Sequence, residues 1–288
     1  MDAILAVATV ASPTSDYLSF FDSIVGLTPM SLFTMAFLGF LRMAPIVVFA
    51  PFFGAKLPGA VKIGMSVSFT LILLPHIVST ANSLNLTFDT HYLGYACKEV
   101  LIGVIFGLLS SIPFHIVQSS GVLIDFQRGS SAMQATDPVL QSQVSPIGIL
   151  YNYLLIVIFF QIGGAFFFLE TIMQSFTYIP VDGFFSSGFF NPNVPFWKIM
   201  MSLLTKFTLL SIQFAAPALV AIFMADLFLG IANRLAPQVQ IAFLGMAIKS
   251  LLGLILLWAG WFFILQQMSL QTENFFRDIM RFLPSFSA

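Results

Sequence analysis

Between Glu99 and Asp125 the chain carries no charged residue, and the same pattern of long apolar runs with charges at their ends recurs along its length. A helix rises about 1.5 Å per residue, so about 20 such residues cross the roughly 30 Å hydrocarbon layer of a bilayer. The whole chain of 288 residues has 11 Lys and Arg and 12 Asp and Glu, and it is 58% hydrophobic. A soluble domain of this size needs about a quarter of its residues charged to cover its surface. Disorder requires the opposite bias, low hydrophobicity with high charge. The formal net charge of -1, with no basic run, leaves no electrostatic footprint for nucleic acid. A bilayer is the solvent that suits this chain.

Six apolar segments follow from the punctuation, at about 30–53, 61–81, the run between Glu99 and Asp125, 146–178, 199–231 and 239–268. They predict an all-α integral membrane protein of about six long hydrophobic helices arranged as kinked helical hairpins. Pro113 and Pro217 each remove a backbone donor inside a segment, which predicts a kink or break that must be buried in a bundle or line a wet path. Two stretches echo one another: Pro113, Asp125, Arg128 and Asp137-Pro138, against Pro217, Asp226, Arg234 and Ala236-Pro237. Both read as a hairpin with a charged tip. Residues 1–28 read as a loose or interfacial lead-in. Their run from Ala3 to Ala11 is too short to span, and Asp2 stands where a secretory signal carries Lys or Arg, so the segment is read as retained.

Orientation signals are flat. Six alternating spans give one side Lys56, Lys62, Arg128 and Arg234 and the other Lys98, Lys198, Arg277 and Arg281, whereas inner-membrane proteins normally carry a clear cytoplasmic excess. This balance suggests that some segments are not independent lipid-facing spans, or that partner subunits set the orientation.

No catalytic constellation stands out. His76, His91 and His115 have no metal-ligand spacing, no nucleophile elbow is present, and the single Cys97 excludes an intramolecular disulfide. No cofactor or metal is expected. Gly103, Gly107, Gly163 and Gly164 form no phosphate loop and read as contacts for close helix packing. Segment 182–198 sets Phe184, Phe185, Phe189, Phe190 and Trp197 in a Gly, Pro and Ser frame. It reads either as an interfacial aromatic belt or as an apolar constriction that closes a water path.

Charges within apolar segments are the informative residues. Arg42 lies near the middle of the first segment, where a charge costs on the order of 2.5 to 3.5 kcal/mol on an insertion scale. It needs a partner, and the candidates are Glu99, Glu170, Asp125 and Asp226. Glu99 is preferred, because it opens the third segment and a kink near Pro45 would turn the Arg42 face toward it. Lys206 and Lys249 pose the same problem in later segments. Internal ion pairs that fix helix register are one reading of these charges. A substrate path or an intersubunit contact is the other.

Several stretches, in order, carry a resemblance. They are RMAPIVVFAPFFGAKLPGAVKIG at 42–64, GVLIDFQRGSSAMQATDPVLQSQVSPIG at 121–148, the glycine pair at 163–164, SFTYIP at 175–180, and AAPALVAIFMADLFLGIANRLAPQ at 215–238 with Lys249. Over about residues 30–270 the chain resembles the T component of type III secretion export gates, the FliR/SpaR/YscT/SctT proteins. Leu-Ile-Asp125, Gln127-Arg128-Gly129, Asp137-Pro138 and Ser145-Pro146 look closer to the virulence injectisome branch than to the flagellar one. The resemblance implies a multi-pass subunit of the bacterial inner membrane, within the secretion system base, which with the small hydrophobic R and S components conducts unfolded secreted polypeptides. It also implies a chain resembling one R and one S subunit joined together, R-like over 29–198 and S-like over 199–288, held largely above the bilayer plane. A cytoplasmic U-like switch component is a further implied partner. Arg42, Lys56, Lys62, Asp125, Arg128, Asp137, Asp226, Arg234 and Lys249 match charged positions of the family, and with Glu99 they are the candidate gate or intersubunit contacts.

Two other classes fit parts of the pattern. A small-solute secondary transporter with proline-broken helices would place a polar cluster at bilayer depth. An intramembrane enzyme would use Asp125 and Asp226 as a pair, yet both fall near hairpin tips in this reading. Neither class accounts for the ordered motifs, and the chain is read as a non-enzymatic export subunit.

Overall fold

The computed structural model describes residues 28–54, 56–81, 90–129, 145–184, 195–235 and 241–282. Those residues form eight α-helices, α1 (Pro29–Phe49), α2 (Gly59–Thr80), α3 (Thr90–Gln127), α4 (Pro146–Gln161), α5 (Gly164–Tyr178), α6 (Pro195–Leu235), α7 (Ile241–Ala259) and α8 (Trp261–Phe282), with one 3-10 turn at Pro51–Phe53 and no strand among them. Local chemistry sets the starts. Thr28 caps α1 by accepting from the Ser31 amide at 3.2 Å, and Ser145 caps α4 by accepting from Gly148 N at 2.9 Å. Pro29 and Pro146 each open their helix where a missing N–H leaves nothing unpaired. Gly54, at φ 101°, closes the turn after Pro51–Phe53. The lead-in at 1–27, Asp137, and Phe185, Phe189 and Phe190 lie outside the described residues.

Four helices are long and apolar enough to cross a membrane, and the number rises to six if each of two broken pairs counts as one span. The breaks do not fall at the expected prolines. Helix α3 runs uninterrupted through Pro113 and α6 through Pro217. The interruptions lie instead at Ile162–Gly163, where Gly163 takes φ 74°, and at Gly260, where α7 and α8 bend by 64°. Proline inside an apolar helix frees one carbonyl, which neighbouring groups can satisfy, whereas Gly163 with its positive φ cannot continue a right-handed helix.

The chain packs as two compact units. The first takes the described residues of Met1–Ser111, Phe166–Lys198 and Arg277–Ala288, and the second those of Ile112–Ala165 and Ile199–Phe276. In the first unit the core is built by Met35, Leu38, Met43 and Ile46 of α1 with Ile77, Ile102, Phe106 and Phe176. Here α1 and α3 approach backbone to backbone. A Cβ on Gly103 would strike the Arg42 carbonyl, and one on Gly107 would stand 3.1 Å from the Pro45 carbonyl oxygen. These two glycines, with Glu99 a turn earlier, lie on one face of α3, the small-residue stripe that lets membrane helices meet. In the second unit Phe114, Tyr151, Leu155, Phe159, Ile222 and Met268 are buried. A Cβ on Gly121 would meet the Gly148 backbone, so α3 and α4 also touch through glycines.

Outward faces stay apolar. Only 22% of the apolar span in α6 is buried, and Leu204, Leu209, Ile212, Val220, Phe223 and Leu227 are exposed along it. Lipid or another apolar surface must cover such a face.

Gly103→Leu should force α1 from α3, because the obstructing atoms belong to the Arg42 backbone and cannot rotate away. A loss of the order of 1 to 3 kcal/mol is expected for such overpacking, read as reduced thermal stability of the detergent-solubilised protein. Wild-type stability would show that the close approach has no energetic role.

Candidate functional site

The first unit contains a buried ion cluster built on α1, α3 and the end of α5. Arg42 and Glu99 are both 0% exposed and form a two-pronged pair, with Nε donating to Glu99 Oε2 at 2.5 Å and a terminal nitrogen donating to Oε1 at 2.8 Å. The preferred partner from sequence is therefore the observed one. The guanidinium also donates to Ser175 Oγ at 3.1 Å and to the Ile179 carbonyl at 2.8 Å, and it lies 4.0 Å from the centre of the Phe176 ring. The planar fork of arginine suits this arrangement, since several donors are used in fixed directions over an aromatic face.

Lys98 is the member that sequence reasoning missed. The six-span reading counts it among the charges on one side of the membrane, but α3 begins at Thr90, so Lys98 stands inside the helix and is 5% exposed. Its ammonium donates to the carbonyls of Pro180, Val181 and Gly183 at 2.6, 3.2 and 2.7 Å, and it lies 2.8 Å from Glu99 Oε1. Two cations thus share one carboxylate. The excess positive charge sits at the C-terminal end of α5, where Pro180 stops the helix and leaves carbonyls without intrahelical donors. Arg42 and Lys98 therefore hold the segment that directly follows α5, at Ile179, Pro180, Val181 and Gly183. The available signal was adjacency: a lysine beside the carboxylate that pairs Arg42.

The second unit has its own polar centre. Asp125 accepts from Ser145 Oγ at 2.6 Å, from the Ile147 amide at 2.9 Å and from Arg128 at 3.1 Å. Its carboxylate thereby holds the N-terminus of α4, the positive end of that helix. Arg128 continues to Ser250 Oγ at 2.9 Å, and its stem packs on Gly253. Lys249 pairs with Asp226, and Gln127 reaches Asp226 at 3.4 Å. The end of α3 is thus tied to α4, α6 and α7. Asp226 belongs to α6, which stays helical to Leu235, so it is an intrahelical residue and not a hairpin tip.

The remaining candidates separate. Lys56 is exposed, Lys62 reaches the Val48 carbonyl at 3.4 Å, and Arg234 is exposed near the end of α6. Phe184 is 57% exposed and rests on Tyr95, ring centres 4.5 Å apart. Among the described residues no group of three His, Cys, Asp or Glu side chains is placed to hold a metal ion. Fixed acceptors on several elements engage the buried cations Arg42 and Lys98. Their effect is to set the positions of helices.

Helices of membrane-spanning length, apolar outside and ion-paired inside, define a multi-pass helical membrane protein. The profile of the bacterial export proteins, family 1, matches residues 33–275, and the chain belongs to that family. It is similar to the secretion system apparatus protein SsaT of Salmonella typhimurium, 29% identical over 224 residues, covering 77% of this chain and 84% of that protein. It is also similar to the Yop proteins translocation protein T of Yersinia pestis, 34% identical over 161 residues, 56% of this chain and 60% of that one. A third relative is the flagellar biosynthetic protein FliR of Bacillus subtilis, 29% identical over 232 residues, covering 79% and 86%.

Lys98→Met should release the segment after α5 while leaving the Arg42–Glu99 pair intact. Amide exchange over residues 179–184 is expected to accelerate about tenfold or more, as loss of charged hydrogen bonds of about 1.5 to 3 kcal/mol implies. Unchanged exchange there would show that the lysine does not hold the end of α5.

Proposed function

We propose that this chain is a subunit of the export gate of a type III protein secretion apparatus in the bacterial inner membrane, where it forms with R-like and S-like components the channel that unfolded secreted polypeptides enter. The observation that carries this reading is the family match across 33–275, together with relatives named for a secretion system apparatus and for Yop translocation. Those names favour the injectisome branch and support protein export over transport of small solutes. The role is structural and not enzymatic.

The physical features fit a subunit that completes itself against neighbours. Its charges are spent internally at Arg42, Glu99 and Lys98 and at Asp125, Arg128, Asp226 and Lys249. Its outer faces, α6 above all, are left apolar. Residues 29–198 are assigned an R-like role and 199–288 an S-like one. Exposed Lys56 and Arg234, with Asp137, are the charges proposed to meet partner subunits or the cytoplasmic U-like switch component. The segment around Phe184, Phe185, Phe189 and Phe190 is proposed as an apolar constriction or an interfacial belt.

Deletion of the gene in its native host should abolish protein secretion, and expression in trans should restore it. Isolated from membranes, the chain should bring small hydrophobic R-like and S-like subunits with it. Normal secretion by the deletion strain, or isolation of the native chain as a stable lone monomer, would contradict the assignment.

A further inference from the structure

Gln213 of α6 and Gln267 and Gln271 of α8 line one open cavity of about 250 Å³, with Leu210 and Phe214 completing its wall. Gln267 and Gln271 are one helical turn apart and share a face. Gln213 and Gln267 are exposed and Gln271 is half-buried, and none of the three carboxamides has a hydrogen-bond partner among the described residues. Gln213 lies in the charge-free run between Lys206 and Asp226, and Pro217, four residues on, withholds the N–H that would bond the Gln213 carbonyl. Hydrocarbon satisfies none of these groups. No charged side chain lines the cavity, so its complement is polar and neutral.

Its size narrows the choice. A helix is about 10 Å across with its amides already bonded internally, so it neither enters the cavity nor supplies what the glutamines lack. Carboxamides donate and accept at once, which matches the unbonded N–H and C=O of an extended main chain whatever its side chains. The cavity also adjoins an apolar cleft that shares Leu210, Phe214 and Gln271 and includes Pro113, Met268 and Phe275. Amide partners beside apolar walls suit a short extended peptide, with its main chain on the glutamines and its side chains against Leu210 and Phe214.

We propose that the Gln213, Gln267 and Gln271 cleft binds a short extended stretch of polypeptide through its main-chain amides, without regard to sequence. This rests on the export function proposed above.

The test uses the assembled complex in its native host, with a secreted protein fused to a stably folded domain that stalls in transit. A photo-crosslinking benzoylphenylalanine in place of exposed Phe263, one helical turn from Gln267, should capture the stalled polypeptide. The triple variant Gln213→Leu, Gln267→Leu and Gln271→Leu, whose apolar side chains suit lipid, should secrete about tenfold less, as loss of several hydrogen bonds implies, with complex yield unchanged. Crosslinks only to neighbouring subunits or lipid, secretion at the wild-type level, or a fall in complex yield that matches the fall in secretion would each overturn the proposal. The export reading fails separately, if deletion of the whole chain leaves secretion intact.

Discussion

Arg42 and Glu99 meet where neither reaches water, and much of the first unit follows from that meeting. Removing an arginine and a carboxylate from water costs several kcal/mol for each ion, and mutual attraction offsets this only when the geometry is close and the other donors are used. Here the carboxylate is gripped twice at 2.5 and 2.8 Å, and further donors go to Ser175 and Ile179. Such contact requires α1 and α3 to approach more closely than side chains normally allow. Gly103 and Gly107 supply the room. It also requires α5 to end where it does, so that Pro180, Val181 and Gly183 turn their carbonyls to Lys98. Ion pair, glycine stripe and helix end are one arrangement and stand or fall together.

The second unit solves the same problem with different pieces. Asp125 is satisfied by a hydroxyl, a helix N-terminal amide and an arginine, so its charge also positions α4. Lys249, isolated in an apolar helix by sequence, finds Asp226. In both units the rule is that a charge inside an apolar segment is placed by its need for a partner. A chain organised in this way can leave its outer faces largely apolar, as α6 does, for lipid or another apolar surface to cover.

Much of this was legible in the sequence because the bilayer imposes strict conditions. Charge-free runs of spanning length gave the helices, and the cost of a lone arginine at mid-segment singled out Arg42 and pointed to Glu99. The Asp125, Arg128 and Ser145-Pro146 motif is visible as a resemblance, and its physical reason, a carboxylate on a helix start, emerges only in the fold. Lys98 was not legible, since a lysine next to a segment boundary reads equally well as a loop residue, and only the true start of α3 at Thr90 places it inside. The interruptions at Ile162–Gly163 and Gly260 had no mark in the sequence reading, where only proline signalled a kink or break. Pro113 and Pro217 stay within continuous helices, while the positive φ of Gly163 depends on tertiary packing that no local pattern records. The glutamine cleft was invisible for a similar reason, as its members come from two helices far apart in sequence.

The most direct test of the central claim is a double-mutant cycle on Arg42→Met and Glu99→Met, read as stability of the isolated complex. Each single change should cost about 3 to 5 kcal/mol, because it leaves the other charge buried without its partner. The double change should cost well below the sum, with a coupling of about 2 kcal/mol or more. Strict additivity, or single variants as stable as wild type, would contradict the claim that this pair holds α1, α3 and α5 in place.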